Sequence, residues 1–234
     1  MRLLLLRHGQ TPANVIGSLD TAAPGPRLTP LGAAQAAAVP GALSGQRVDA
    51  IWVSTLIRTQ LTAAPFADDR SLRPNVVDGF REIEAGDLED RTDHESQLRY
   101  LDTAFAWADG RRDIHLPGAP DGNAFFARYD AAIADVAAAT PPDGVALVVS
   151  HGMAIRTWVA GTALNVTADF AAKNQLGNTG MAVLESSPAA HAGALEWSML
   201  EWIGVPIGGV ALDDVEAEDP TGETMTDARR RLQE

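Results

Sequence analysis

Two stretches of the chain show no alternation of apolar and polar residues: Leu3–Leu6 and Val145–Val149. Continuous apolar runs of this length predict strands buried on both faces of a sheet. Each run passes at once into a polar tripeptide, Arg7-His8-Gly9 in the first case and Ser150-His151-Gly152 in the second. Between and after them the pattern switches repeatedly from strand to helix. Thr29-Pro30 reads as an N-cap followed by proline at the first helical position, opening an alanine-rich helix over residues 31–39. Residues 50–54 read as a second strand, 55–66 as a helix, and 75–77 as a short third strand. Helices are expected over 91–110, 123–139 and 151–162. Late strands are expected over 180–184 and 195–202, one of them an antiparallel edge. This alternation predicts an α/β fold built on a mainly parallel sheet.

The chain has 234 residues, 46% of them hydrophobic, which suits one sizeable core. A single domain is expected over residues 1–212. From Asp213 the chain turns acidic and turn-rich and then ends in Arg229-Arg230-Arg231, so residues 213–234 read as a loosely attached tail or a partner-dependent helix. Cysteine is absent, which removes thiol catalysis and thiolate metal sites. The net charge of −13 repels nucleic acid and anionic membrane at long range, so neither is expected as a partner. The apolar runs are too short for a membrane span, and Met1-Arg2-Leu3 leads directly into a strand rather than a signal peptide. A cytoplasmic location is expected, with a homodimer left open.

In parallel α/β sheets ligands bind beyond the carboxyl ends of the strands, so the two His-Gly pairs mark the same place twice. An anion bound there by an acidic protein needs a local cluster of cations. Arg7 and Arg58 each offer a planar fork that matches pairs of oxyanion oxygens, and both hold their charge at any working pH. His8, followed by Gly9 and a polar loop, allows close approach of a reacting group and is the better nucleophile. His151 would serve as a protonated donor to non-bridging oxygens. Thr11 and Asn14 would orient oxygens of the ligand.

The ordered series Arg7-His8-Gly9-Gln10-Thr11 with Asn14, Leu28-Thr29 through Gly32 to Gln35-Ala36, Ser54 through Arg58 to Gln60, Arg81-Glu82 through Gly86, and Ser150-His151-Gly152 resembles the histidine phosphatase superfamily. That two-histidine group contains the cofactor-dependent phosphoglycerate mutases and many phosphatases. The resemblance implies a doubly wound, phosphoglycerate mutase-like sheet with helices on both faces. It also implies a phosphohistidine on His8, a phosphate pocket of Arg7, Arg58 and His151 with Asn14, Thr11 and Gly152, and Glu82 as proton donor. One carboxyl group could protonate the leaving alkoxide and later deprotonate the attacking water. No cofactor or metal is implied: Arg7 and Arg58 would repel a cation held by His8, His151 and Glu82.

Two departures from the family pattern fall where substrate choice is decided. The Gly-Glu-Ser motif of many relatives is replaced by Gly118-Ala119-Pro120-Asp121-Gly122-Asn123, and residues 21–26 lengthen the loop after the first strand. A helical segment over about 83–123 is expected to lie above the site, with Tyr100, Trp107, Arg111, Arg112 and His115 as candidate specificity residues. The leading expectation is a phosphomonoester hydrolase acting on a small phosphorylated substrate. The alternatives are a phosphoglycerate or phosphosugar mutase and a non-catalytic phospholigand-binding protein. Residues 91–112 contain no lysine, unlike the substrate stretch of the resembled mutases.

Overall fold

A computed structural model describes residues 1–188 and 195–231. Six strands form one sheet: β1 (Arg2–Arg7), β2 (Ala50–Val53), β3 (Asn75–Val76), β4 (Val145–Ser150), β5 (Met181–Pro188) and β6 (Leu195–Ile203), in the order β3-β2-β4-β1-β5-β6. The first four run parallel, while β5 is antiparallel to β1 and β6 to β5. The late strands are therefore both antiparallel to their inner neighbour, with β6 as the edge. The apolar runs lie at the centre, where both faces are covered. Along β1 and β4, Leu3, Leu5, Ala146 and Val148 enter one core with Tyr100, Phe125, Tyr129 and Trp158, and Leu4, Leu6, Leu147 and Val149 enter the other with Val39, Leu43 and Phe66. Burial on both sides explains why no polar residue interrupts either run.

Eight helices occur among the described residues: α1 (Pro12–Val15), α2 (Pro30–Ala42), α3 (Ile57–Arg70), α4 (His94–Ala108), α5 (Gly122–Ala139), α6 (Gly152–Thr162), α7 (Ala168–Lys173) and α8 (Met225–Arg231). The Thr29 side chain accepts the Gly32 N–H at 3.0 Å and so starts α2 where the sequence places it. α2 and α3 run further than the expected ends at 39 and 66: α2 continues through Pro40 to Ala42, and α3 continues to Arg70. His151 is the N-cap of α6 and not its first turn.

The β1/β4 register pairs Leu6 with Val149 and Arg7 with Ser150, and the His8 N–H continues the ladder to the Ser150 carbonyl at 3.0 Å. His8 and His151 consequently leave the sheet side by side, with ring centroids 5.2 Å apart. β2 ends beside β4, which delivers Ser54 and the start of α3 to the same edge.

Residues after Asp213, expected as a loose tail, run back across this edge. Gln10 Nε2 donates to Asp214 Oδ2 at 2.7 Å, and Arg7 bonds to both Asp219 and Thr221. The buried Met225 and Ala228 of α8 join the core that includes Tyr100. The final residues 232–234 of the expected tail lie outside the described residues.

Candidate active site

His8 is 3% exposed, and its Nδ1 donates to the Gly9 carbonyl at 2.8 Å. A carbonyl only accepts, so Nδ1 carries the hydrogen and Nε2 keeps its lone pair. Burial, and then the charges of Arg58 and Arg7, hold the imidazole well below its usual pKa. His8 is therefore a neutral imidazole at neutral pH, with its Nε2 lone pair free of the Gly9 bond. Gly9 is required by a close approach: a Cβ there would stand 2.7 Å from the Gly32 carbonyl oxygen at the start of α2.

His151 is fully buried and both ring nitrogens are engaged. Arg58 Nε donates to Nδ1 at 3.3 Å, so Nε2 bears the hydrogen shared with Ser54 Oγ at 2.8 Å. Burial, together with Arg58 and His8, pushes its pKa well below the ordinary histidine value. The expectation of a protonated donor does not describe this arrangement, because neighbouring cations and desolvation both oppose the second proton.

Glu82 is 3% exposed and sits against the N-terminus of α6. Its Oε1 accepts the N–H groups of Ile83 at 2.9 Å and Ala154 at 2.8 Å, and Oε2 accepts that of Met153 at 3.1 Å. Burial raises its pKa, against the opposing pull of these N–H groups and of Arg58. Oε1 has both in-plane lone pairs occupied, whereas Oε2 retains one. The backbone beneath Glu82 is fixed by Arg128, which donates to the carbonyls of Gly79, Arg81 and Glu82, and by the Tyr100 hydroxyl on the Ile83 carbonyl.

The two arginines differ from the expectation of two open forks. Arg58, 3% exposed, reaches Asp20 with Nη1 to Oδ1 at 3.1 Å and Nη2 to the backbone oxygen at 2.9 Å. Burial raises the Asp20 pKa against the pull of Arg58. Arg7 is fully buried. Its Nη1 and Nη2 grip Asp219 at 2.5 and 2.8 Å, and they also donate to the Leu176 carbonyl and Thr221 Oγ1. The sequence reveals the donor type but not that Asp20 and Asp219, 38 and 212 residues away, would already engage both forks.

Thr11 and Asn14 form a reciprocal capping box on α1, with Asn14 Oδ1 accepting the Thr11 N–H at 2.9 Å, and Asn14 Nδ2 donates to Asp219 Oδ1 at 3.1 Å. Both still line one cavity with His8, Asp20, Arg58, Glu82 and Thr221. A Cβ on Gly152 would meet the Thr221 carbonyl oxygen at 2.7 Å and Arg7 Nε at 3.0 Å, so only glycine fits beneath the returning chain. None of the candidate specificity residues lines this cavity. Tyr100 and Trp107 are core residues, Arg112 stacks 3.5 Å over the Phe126 ring, and Arg111 and His115 are exposed. Asp121 of the substituted motif instead caps α5 through the Ala124 N–H at 2.9 Å. Among the described residues no three His, Asp or Glu side chains converge to hold a metal ion, and no helix is long and apolar enough to cross a membrane.

The sequence profile of the histidine phosphatase superfamily (branch 1) matches residues 3–197. The chain belongs to this superfamily. The chain is 36% identical over 224 residues to the PE-PGRS family protein PE_PGRS11 of Mycobacterium tuberculosis (strain H37Rv), a match covering 88% of this chain but only 37% of that protein. It is 32% identical over 151 residues to the adenosylcobalamin/alpha-ribazole phosphatase of Escherichia coli (strain K12), covering 64% of this chain and 73% of the relative. Among solved structures, mycobacterial glucosyl-3-phosphoglycerate phosphatase superposes with a TM-score of 0.72 at 25% identity, covering 86% of this chain and 98% of the other. The alpha-ribazole phosphatase from Shigella flexneri gives 0.63 at 27% identity, covering 80% and 91%. The fold is thus phosphoglycerate mutase-like, and these solved neighbours are phosphatases. The superfamily match stops at residue 197, so the Asp219 and Thr221 contacts on Arg7 lie beyond it.

Proposed function

We propose that this histidine phosphatase is a metal-independent phosphomonoester hydrolase that works through a phosphohistidine on His8 and acts on a small phosphorylated metabolite. The observation that carries the reading is the Nδ1–H bond from His8 to the Gly9 carbonyl, which leaves Nε2 as a neutral, buried nucleophile in one cavity with Arg58 and Glu82. In the first step Nε2 attacks phosphorus, the phosphorus–oxygen ester bond breaks, and the departing oxygen takes the proton of the Glu82 carboxyl. Oε2 is the site for that proton because it keeps a lone pair. In the second step Glu82 takes a proton from water, the resulting hydroxide attacks phosphorus, and the phosphorus–nitrogen bond breaks to return His8 and release inorganic phosphate. Arg58 supplies fixed positive charge to the transferring group. His151, neutral in this arrangement, accepts the Arg58 Nε–H on Nδ1 and so orients that guanidinium toward the site.

The test is release of inorganic phosphate from sugar phosphates, phosphoglycerates, nucleotides and aryl phosphates with chelator present throughout. Turnover is expected to be unaffected by chelation and to be inhibited by orthovanadate, whose oxyanion takes the place of the transferring phosphoryl group. Activity lost in chelator and restored by a divalent ion would overturn metal independence. Isomerised phosphoesters without phosphate release would identify a mutase.

Arg58→Ala is expected to lower turnover by roughly 10²–10³-fold, the usual effect of removing one preorganised donor to the transition state. A change in KM alone, with turnover intact, would make Arg58 a uniform binding contact.

A further inference from the structure

Arg7 has five N–H donors, and four of them are used by the protein. Nη1 donates to the Leu176 carbonyl at 2.8 Å and to Asp219 Oδ2, while Nη2 donates to Asp219 Oδ1 and Thr221 Oγ1, both at 2.8 Å. The fifth, on Nε, is buried and has no hydrogen-bond partner among the described residues. It stands over Gly152, the residue after His151, where a Cβ would come within 3.0 Å of it. An unpaired buried donor is costly and calls for an explanation, and the charge that carries this one reaches both His8 and His151, adding to burial and Arg58 in lowering the pKa of each.

The carboxylate that takes up the fork is itself firmly held. Asp219 accepts from Arg7, from Asn14 Nδ2 at 3.1 Å and from Thr221 Oγ1 at 3.1 Å. The chain around it is tied to the sheet edge: Gln35 Nε2 donates to the Leu212 carbonyl at 2.8 Å, Arg156 Nη1 to the Thr221 carbonyl at 3.0 Å, and the Leu176 N–H to the Gly222 carbonyl at 2.7 Å. Asp20 on Arg58 differs, since a single carboxylate oxygen meets a single guanidinium nitrogen there. Asp219 is built as a permanent counter-ion of a fully buried guanidinium, and its removal would leave that charge unpaired.

We propose that Asp219 is a positioning residue of the phosphate site. By occupying both terminal nitrogens of Arg7 it fixes the guanidinium plane and leaves the Nε–H as the one donor that Arg7 presents to a phosphoryl oxygen. Through Thr221 it also completes the cavity wall, so the C-terminal segment is part of the site. This rests on the phosphatase reading above.

The test measures kcat, KM and the orthovanadate inhibition constant for Asp219→Ala and Asp219→Asn in the full chain. The inhibition constant does not depend on the fraction of enzyme that is folded, so a purely structural role would leave it unchanged. Asp219→Ala is expected to weaken vanadate binding and kcat/KM by about ten- to hundredfold, the effect of losing a charge-assisted hydrogen bond to the ligand. Asp219→Asn keeps one acceptor, folds with nearly the same shape, and should lose less; it carries the test if the alanine variant does not fold. Unchanged vanadate affinity in a folded variant would overturn the inference. Tighter vanadate binding would also overturn it, by showing that Asp219 blocks Arg7 instead of aiming it. Folded wild-type protein that neither binds vanadate nor releases phosphate from any ester would instead remove the phosphatase reading, and this inference with it.

Discussion

His8→Ala is expected to lower turnover by roughly 10⁴–10⁶-fold, the scale seen when an enzyme loses its nucleophile but keeps its transition-state donors. The size follows from the division of labour in the site. Arg58 would still bind and polarise a phosphoester, but the only in-place attacking group would be water. Water in that position has neither the lone pair fixed by the Nδ1–H bond to Gly9 nor the orientation given by the β1/β4 register. Replacement of a 3% exposed side chain also costs stability, so the variant must be compared as folded enzyme, by circular dichroism and by retained vanadate binding. Exogenous imidazole supplied to the alanine variant should restore part of the rate. Turnover within about tenfold of the wild type would remove His8 as nucleophile.

The second large effect concerns Glu82, and the leaving group is its probe. An alkyl phosphate expels a strongly basic alkoxide and needs a proton at the moment of cleavage, whereas a nitrophenyl phosphate expels a stable phenolate. Glu82→Gln is expected to slow single-turnover phosphorylation by alkyl phosphates by roughly 10²–10⁴-fold and by the aryl substrate far less. Burial raises the Glu82 pKa toward the protonated carboxyl this role requires, and in that role Oε2 would carry the proton while Oε1 stays on the Ile83 and Ala154 N–H groups. The amide substitution keeps a carbonyl acceptor for those donors, which limits disruption of the α6 N-terminus. Steady-state rates would hide the contrast, because dephosphorylation needs Glu82 as base for every substrate. Equal losses in the first step would exclude the proton donor, and no loss would leave Glu82 as a helix cap alone.

The parts of the fold and site legible in the sequence are those governed by neighbours close along the chain. Leu3–Leu6 and Val145–Val149 announce central strands because double-sided burial tolerates no polar residue. Thr29-Pro30 announces a helix start because both residues satisfy the first turn directly. What could not be read depends on where distant segments meet. Asp219 sits in an acidic stretch whose composition resembles a solvated tail, and only the folded chain brings it 212 positions back to Arg7. Asp20 likewise gave no signal of its grip on Arg58. Tyr100 and Trp107 suggested ligand contacts, yet they are full-size apolar surfaces that the core takes up first. Charge state was hidden for the same reason: His151 has its pKa lowered by burial and by Arg58, and neither influence is visible in the tripeptide Ser150-His151-Gly152.

The central claim is that phosphorus passes through His8, and trapping that species tests it most directly. The Glu82→Gln variant, mixed with an aryl phosphate and quenched at times within its first turnover, should accumulate enzyme carrying one phosphoryl group. The adduct should be lost in acid, survive alkali, and map by fragmentation mass spectrometry to His8. A phosphoryl group on any other side chain, or inorganic phosphate released with no phosphorylated enzyme at any time point, would contradict the account.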